Sequence, residues 1–199
     1  MSGTPLHGDA LRVLRGWRAP GPEQERVRRR FVDHLEANPD GVERSCHPDH
    51  VTASTLIVSA DHSRVLLTLH AKANAWFQMG GHCEPGDTTL AGAALREAVE
   101  ESGVTTLRLD PEPVQLDAHE VPFCSSLGPV HHLDVRFLAV APPEAEHAVS
   151  EESLDVRWWP VDALPTEEAG ILELVRLSRA RLATEAGPAD QQSGSSAAI

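Results

Sequence analysis

The pattern of apolar and polar positions predicts helices near both ends of the chain and strands between them. Within residues 22–37 apolar side chains recur every four positions and acidic residues occupy the first turn, as in an amphipathic helix. Residues 10–17 predict a shorter helical segment before it, separated by a break rich in proline and glycine. Residues 165–182 predict a second long amphipathic helix.

β-Branched and apolar residues between these helices predict a sheet. Residues 51–58 and 64–70 flank a turn and predict a strand pair, and residues 75–79 lead into a glycine-rich segment. Further candidate strands cover residues 106–109, 114–121, 133–141 and 156–159. The last residues, 184–199, are rich in alanine, glycine and serine, which predicts a disordered tail.

The most unusual polar pattern lies after that glycine-rich segment. Glu97, Glu100 and Glu101 are spaced i, i+3 and i+4, so on a helix their carboxylates project from one face. Like charges this close destabilise an isolated helix, whereas clustered oxygen donors suit a divalent cation such as Mg²⁺. The alternative is an exposed, solvated face of charged residues, but this alternative does not explain the glycines on either side of the helix.

Residues 81–104 resemble the Nudix box, G-x5-E-x7-R-E-U-x-E-E-x-G-U, in which U is aliphatic. From Arg96 onward the match is close, with Ala98 at the aliphatic position. Asp87 stands where the family has Glu, and eight residues rather than seven separate it from Arg96. The extra residue falls within 88–95, so these departures concern the loop and leave the carboxylate cluster intact.

The resemblance implies an α/β (α+β) fold, an α/β/α sandwich with a mixed β-sheet. Residues 42–183 would form the Nudix domain and residues 1–41 an N-terminal helical extension. The implied activity is metal-dependent hydrolysis of a diphosphate bond in a nucleoside diphosphate linked to another group, with Mg²⁺ or Mn²⁺ as cofactor. Two alternatives share the fold: a non-catalytic module that senses a nucleotide, and a diphosphate isomerase, which would need an acid–base cysteine.

The resemblance also assigns roles to individual residues. It implies that the metal ligands are Glu97, Glu100 and Glu101. It implies that Arg96 braces these glutamates by ion pairing and that Asp87 is a structural brace. Gly81 and Gly86 are expected to let the loop turn tightly before the helix, and Gly103 follows the helix as the closing glycine of the box.

The general base is open at this stage. In Nudix proteins it is either a box glutamate, here Glu100, or an acidic residue on a later loop. Glu152, just before the predicted strand at 156–159, is the first loop candidate, followed by Glu151 and Glu120. Two exposed loop carboxylates without a catalytic role are an equally good interpretation of 151–152.

Histidines and cysteines outside the glutamate cluster allow a zinc site. His82 and Cys83, taken with Cys46 and His47, lack the ligand spacing of a zinc motif, so ordinary loop or core residues are favoured. The histidine pair 131–132 either touches substrate phosphates or lies at a strand edge without a catalytic role, and the second interpretation is favoured.

Charge and composition indicate which binding partners and which cellular location to expect. Thirty acidic residues against seventeen basic ones give a formal charge of −13, which disfavours binding to a nucleic-acid polymer and favours a small nucleotide-like diphosphate. The sequence contains no apolar run of membrane-spanning length and no signal pattern, so a cytoplasmic location is expected. Three widely spaced cysteines do not suggest a disulfide framework. The resemblance allows a homodimer.

Overall fold

The computed structural model describes residues 3–122, 124, 128–149 and 153–185. Its helices are α1 (Pro5–Gly16), α2 (Pro22–Ala37), α3 (Leu90–Ser102) and α4 (Ala169–Glu185). Its strands are β1 (Asp49–Val58), β2 (Arg64–His70), β3 (Ala75–Phe77), β4 (Met79–His82), β5 (Arg108–Val121), β6 (Val130–Val140) and β7 (Ser153–Pro160). Among the helices of these residues, none is long and apolar enough to cross a membrane.

The strands form one seven-stranded mixed sheet, in which β3-β2-β1-β6-β5 follow one another in this order, β4 also pairs with β1, and β7 also pairs with β2. β1 and β6 are parallel over their full pairing, whereas the other pairs are antiparallel. β6 pairs with one edge of β1 over its whole length. On the other edge of β1, β4 pairs with the earlier residues and β2 pairs with the last two. This mixed sheet with flanking helices confirms the predicted fold class.

Several element boundaries differ from the sequence prediction, and two of these differences have a clear local cause. The candidate strands at 106–109 and 114–121 are one strand, β5, whose register shifts between Asp110 and Gln115. The prolines in this stretch interrupt regular pairing, and the irregularity accommodates them without ending the strand. α4 begins at Ala169 rather than at 165, because the side chain of Glu168 accepts hydrogen bonds from the N–H groups of Gly170 and Ile171 at 3.0 and 2.7 Å and caps the helix there.

The two faces of β1 have different partners. Val51 and Ala53 belong to the hydrophobic core that includes α1, α2 and α3. On the opposite face Thr52 and Ser54 are polar, and further along the same face Leu56 packs with α4. One strand face therefore changes from polar to apolar along its length, and the polar part is free to form the floor of a site.

The predicted N-terminal helices are present and share the core of the sheet. Leu14 and Phe31 are fully buried in the same cluster as residues of β1 and β6. The Trp17 indole N–H donates to the Pro113 carbonyl at 2.6 Å. The Gln24 amide bonds both backbone groups of Leu116 on β5, at 3.0 and 2.7 Å. The two helices thus pack on the sheet as part of one folded unit.

Candidate active site

A cavity of about 730 Å³ lies on the polar face of the sheet, and glutamate side chains of helix α3 also line it. Charged side chains from several elements line it: Arg44, Lys72, Glu84, Glu97, Glu100, Glu101, Asp117, Glu120, Asp134, Arg136 and Glu168. All three box glutamates therefore reach the same space as the polar floor of β1. A smaller hollow of about 430 Å³ along α4 is lined by aliphatic and arginine side chains and offers no acidic or histidine ligand.

Arg96 is the centre of the hydrogen-bond network at the start of α3. It donates to both carboxylate oxygens of Asp87, at 3.2 and 2.9 Å, and to the His82 carbonyl at 3.0 Å. Its Nη1 also lies 3.0 Å from Glu97 and 3.0 Å from Glu100. The hydrogen bonds to Asp87 and Glu97 raise the pKa of Arg96, so this guanidinium is a permanent cation. These contacts are compatible with a bracing role for Arg96, which stays a prediction.

The three glutamates have different surroundings. The Glu97 side chain is 16% exposed, whereas that of Glu100 is 57% exposed. Burial raises the pKa of Glu97, and the nearby Arg96 offsets this effect only in part. Glu101 accepts a hydrogen bond from the Gly80 N–H at 2.8 Å. Two carboxylates thus lie against β4, and the third faces solvent.

The donor set around α3 fits a divalent cation such as Mg²⁺. Hard carboxylate oxygens line one side of an open cavity, which leaves room for the water that Mg²⁺ retains and for phosphate oxygens. A Cβ added at Gly81 would lie 2.8 Å from the Glu97 carboxylate, so the backbone of β4 makes space for this group. A cation there would also offset the cost of burying the Glu97 charge.

The first two glycines of this region occupy positions that the sequence did not predict. Gly80 and Gly81 lie in β4, paired with Ser54 and Ala53 of β1, and not in a turn. A Cβ at Gly80 would clash with the Ser54 side chain, so close approach of two strands requires glycine there. Gly86 has open space around it. Gly103 ends α3 in the left-handed conformation, with φ of 72°.

The candidates for the general base divide into two groups. Glu151 and Glu152 lie outside the described residues. Glu120 is an exposed residue near the end of β5, and it lines the cavity together with Glu100. Among the described acids on the cavity wall, these two remain from the candidates that the sequence raised.

The floor of the cavity contains a buried polar network that the sequence analysis missed. Asp134 accepts hydrogen bonds from Thr52 at 3.2 Å, Ser54 at 2.8 Å and Arg136 at 2.9 Å. Arg136 also pairs with Asp117 at 2.9 Å. The available signal was the polar residue at every second position of β6, which marks a polar strand face even where the strand is buried.

Histidines meet at another part of the same cavity. His82 lies at the end of β4, and His132 on β6 lies beside it, with ring centroids 4.9 Å apart. His131 points elsewhere and bonds Asp49 at 3.0 Å. The histidine pair 131–132 is therefore split between the two faces of β6. Cys46, Cys83 and Cys124 are free thiols.

Comparison with known families identifies the fold and the box. Residues 48–177 match the model of the NUDIX domain. The chain belongs to the NUDIX family. This match covers well over half of the chain and confirms the predicted resemblance, and membership supports the prediction of a Nudix pyrophosphohydrolase. No curated protein matches the sequence.

Solved structures resemble this NUDIX chain in fold. The NUDIX domain of Shewanella oneidensis NrtR, solved with ADP ribose, has a TM-score of 0.55 at 20% identity, covering 70% of this chain and 92% of that one. The E. coli dihydroneopterin triphosphate pyrophosphohydrolase has a TM-score of 0.54 at 19% identity, covering 65% of this chain and 95% of that one. A C. elegans Ap4A hydrolase complex has a TM-score of 0.53 at 21% identity, covering 67% of this chain and 98% of that one.

Proposed function

We propose that this NUDIX protein is a metal-dependent hydrolase that cleaves the diphosphate bond of a nucleoside diphosphate linked to another group. One observation carries the proposal: Glu97, Glu100 and Glu101 line a single cavity that is large enough for a nucleotide-like molecule. The cavity also contains the cationic side chains Arg44 and Lys72, which attract an anionic substrate.

The box residues would divide the work between metal binding and support. Glu97, Glu100 and Glu101 would hold Mg²⁺ or Mn²⁺, which when bound neutralises phosphate charge and lowers the pKa of a coordinated water. Arg96 is fully engaged with Asp87 and the glutamates, so it orients carboxylates rather than binding substrate. A positioned carboxylate needs this kind of support to keep its geometry.

Other residues of the cavity wall are candidates for proton transfer and for binding the nucleobase. Glu120 is an exposed residue that lines the cavity, and its carboxylate is the first candidate to accept a proton from the attacking water, with Glu100 as the second. Glu152 stays a prediction from the sequence. Phe77 lines the cavity and provides an aromatic face on which a nucleobase can stack.

A second function, nucleotide sensing without turnover, is favoured by one similarity. The NUDIX domain of Shewanella oneidensis NrtR was solved with ADP ribose bound. A cavity with the same fold can bind such a ligand without cleaving it. The two functions differ in a measurable way, because only the hydrolase releases product.

The experiment is a substrate screen on the full chain with Mg²⁺ and with Mn²⁺. ADP-ribose, Ap4A, dihydroneopterin triphosphate and nucleotide sugars are incubated with the protein, and products are separated by chromatography. We expect turnover of at least one compound, loss of turnover in EDTA, and a decrease of about 100-fold or more in Glu101→Gln.

The matched control is Glu173→Gln on α4, an exposed glutamate outside the cavity that pairs with Arg176. It should retain full activity. Glu120→Gln tests the base: a fall in kcat with unchanged KM supports the assignment, and an unchanged kcat rejects it. Calorimetric binding of ADP-ribose without cleavage of any compound would reject the hydrolase and support the sensor.

A further inference from the structure

Three strands bring histidines to one spot on the cavity face of the sheet. His50 on β1 and His132 on β6 are direct partners in the parallel pairing. His82 on β4 pairs opposite Thr52, two residues after His50, so it shares the same face. The ring centroid of His50 lies 5.1 Å from that of His82 and 5.0 Å from that of His132. The cluster follows from strand register and involves residues far apart in sequence.

Cys124, in the connection between β5 and β6, completes the group. Its Sγ lies 3.3 Å from Nε2 of His82, 3.3 Å from Nε2 of His132 and 4.0 Å from Nε2 of His50. The four potential ligand atoms all lie within 4.8 Å of one another. Tetrahedral zinc with ordinary bond lengths would separate a nitrogen and a sulfur ligand by about 3.6 Å. The observed spacing is close to that value.

The chemistry of the rings also suits a metal. Nδ1 of His50 lies 3.1 Å from the Cys46 carbonyl, which can only accept, so Nδ1 carries the proton and Nε2 presents its lone pair toward Cys124. Neutral imidazoles are the form that binds metals.

We propose that His50, His82, His132 and Cys124 form a zinc-binding site separate from the box glutamates. Three imidazoles and one thiolate are borderline to soft donors, which favour Zn²⁺ over Mg²⁺, and four protein ligands give a closed, structural coordination shell. The metal would fasten the β5–β6 connection to three strands of the cavity wall. Within the described residues, this is the one place where three or more metal-ligating side chains converge so closely.

The neighbouring charges are compatible with this assignment. Arg44 is exposed, and its guanidinium approaches the Cys124 carbonyl at 3.5 Å, so solvent screens much of its repulsion of a cation. A Cys124 thiolate would cancel one charge of Zn²⁺. His119 lies 5.7 Å from His132 between ring centroids, but its Nδ1 bonds Asp117 at 2.7 Å, and it falls outside the set of four.

The test begins with metal content. The full chain is stripped with a chelator, refilled with Zn²⁺, desalted, and analysed by plasma mass spectrometry, with Co²⁺ as a spectroscopic substitute. We expect one zinc per chain and, with cobalt, a sulfur-to-cobalt charge-transfer band. Zinc should also raise the Tm of the stripped protein, because it binds the folded state.

Cys124→Ser and His132→Ala are the test variants. We expect zinc affinity to fall by at least about 100-fold in both variants. Even the loss of a residue that only hydrogen-bonds to a metal ligand typically lowers metal affinity by about 10–100-fold. Cys124→Ser should also lose the charge-transfer band. The matched controls are Cys83→Ser and His131→Ala, which change the same residue types outside the cluster and should bind zinc as the wild type does.

Several results would overturn the proposal: wild-type protein without stoichiometric zinc, Cys124→Ser that retains the charge-transfer band, or controls that lose zinc equally. A wild type with no affinity for zinc would identify the cluster as a hydrogen-bonded thiol–imidazole network. Because Cys124 lies in a connection and not in a strand, its variant stays informative if His132→Ala does not fold. Glu101→Gln should keep its zinc while losing hydrolysis, so failure of the zinc site and failure of the proposed activity are distinguishable.

Discussion

Asp87 binds the guanidinium of Arg96 through both carboxylate oxygens, at 3.2 Å from Nε and 2.9 Å from Nη2. The same carboxylate accepts the Glu84 N–H at 2.8 Å, which closes the loop before α3. A two-point pair of this kind fixes orientation as well as distance. The shorter acid and the extra loop residue are therefore compatible with a firmly held Arg96.

Arg96→Lys should weaken this arrangement, because an ammonium cannot reproduce the planar two-point contact. We expect a loss of about 1–3 kcal/mol in the free energy of unfolding, measured by urea denaturation, since several partially buried acceptors lose a donor. Arg26→Lys, an exposed arginine paired with Glu23 on α2, is the control and should change the stability by less than about 0.5 kcal/mol. Equal effects in the two variants would contradict the role of Arg96.

Asp87 should contribute a pH-dependent part of the stability. Burial raises its pKa, but the hydrogen bonds from Arg96 and from the Glu84 N–H outweigh burial and hold the pKa below its ordinary value. A lowered pKa in the folded state means that the contribution is present above the unfolded value of about 3.9 and is lost as the pH falls through the folded value.

The difference in unfolding free energy between wild type and Asp87→Asn should thus be constant above about pH 5 and shrink below about pH 4. Chemical denaturation across this range measures it. Asp33→Asn, which changes an exposed carboxyl on α2, serves as the control. A difference in unfolding free energy that grows toward low pH would contradict the lowered pKa of Asp87.

Gly81→Ala and Gly86→Ala should behave differently, although both glycines belong to the box. A Cβ at Gly81 meets the Glu97 carboxylate at 2.8 Å, whereas a Cβ at Gly86 meets nothing within 4 Å. We expect Gly81→Ala to displace Glu97 and to weaken Mg²⁺ affinity about 10-fold or more, measured by titration calorimetry. Gly86→Ala should bind Mg²⁺ normally, and similar losses in both would point to the loop rather than to Glu97.

Arg136→Met should be strongly destabilising. Its side chain is 4% exposed and pairs with Asp134 and Asp117, so its removal leaves buried carboxylates without their cation. We expect a loss of about 3–5 kcal/mol in the free energy of unfolding. Arg157→Met breaks an exposed pair with Asp155 and should cost at most about 1 kcal/mol. A small effect at Arg136 would show that the floor network is not a stabilising unit.

Leu14→Ala tests whether the N-terminal helices fold together with the sheet. Leu14 is fully buried in the core shared by α1 and the sheet, so the substitution should cost about 2–5 kcal/mol in one cooperative transition. Leu172→Ala on α4 is the control, because that side chain is 43% exposed. Two separate transitions in the wild type would indicate that the helices form an independent unit.

Local patterns predicted much of this structure. The period of apolar residues located α2, and the box located α3 with its three glutamates, since both depend on residues close in sequence. The strand position of Gly80 and Gly81 was not predictable in this way, because their partner is β1 and a glycine pair ordinarily indicates a turn.

The histidine cluster was missed for the same reason. Spacing rules search for ligands near one another in the chain, whereas His50 and His132 meet only through the parallel pairing of β1 with β6. By sequence spacing His82 groups with its neighbour Cys83, but the Cys83 sulfur lies near the Val51 carbonyl, 3.9 Å away. Contacts set by sheet register require the strand order, which a single sequence does not provide.

The pairing of Gln24 with Leu116 has a consequence for how molecules of this protein meet one another. An outermost strand ordinarily offers unpaired backbone groups on which another chain can add a strand, and such addition leads to aggregation. On β5 the Gln24 amide occupies both groups of Leu116, and Trp17 occupies the Pro113 carbonyl. The first two helices therefore cover these backbone groups of the outermost strand, and addition of another strand at these positions is disfavoured.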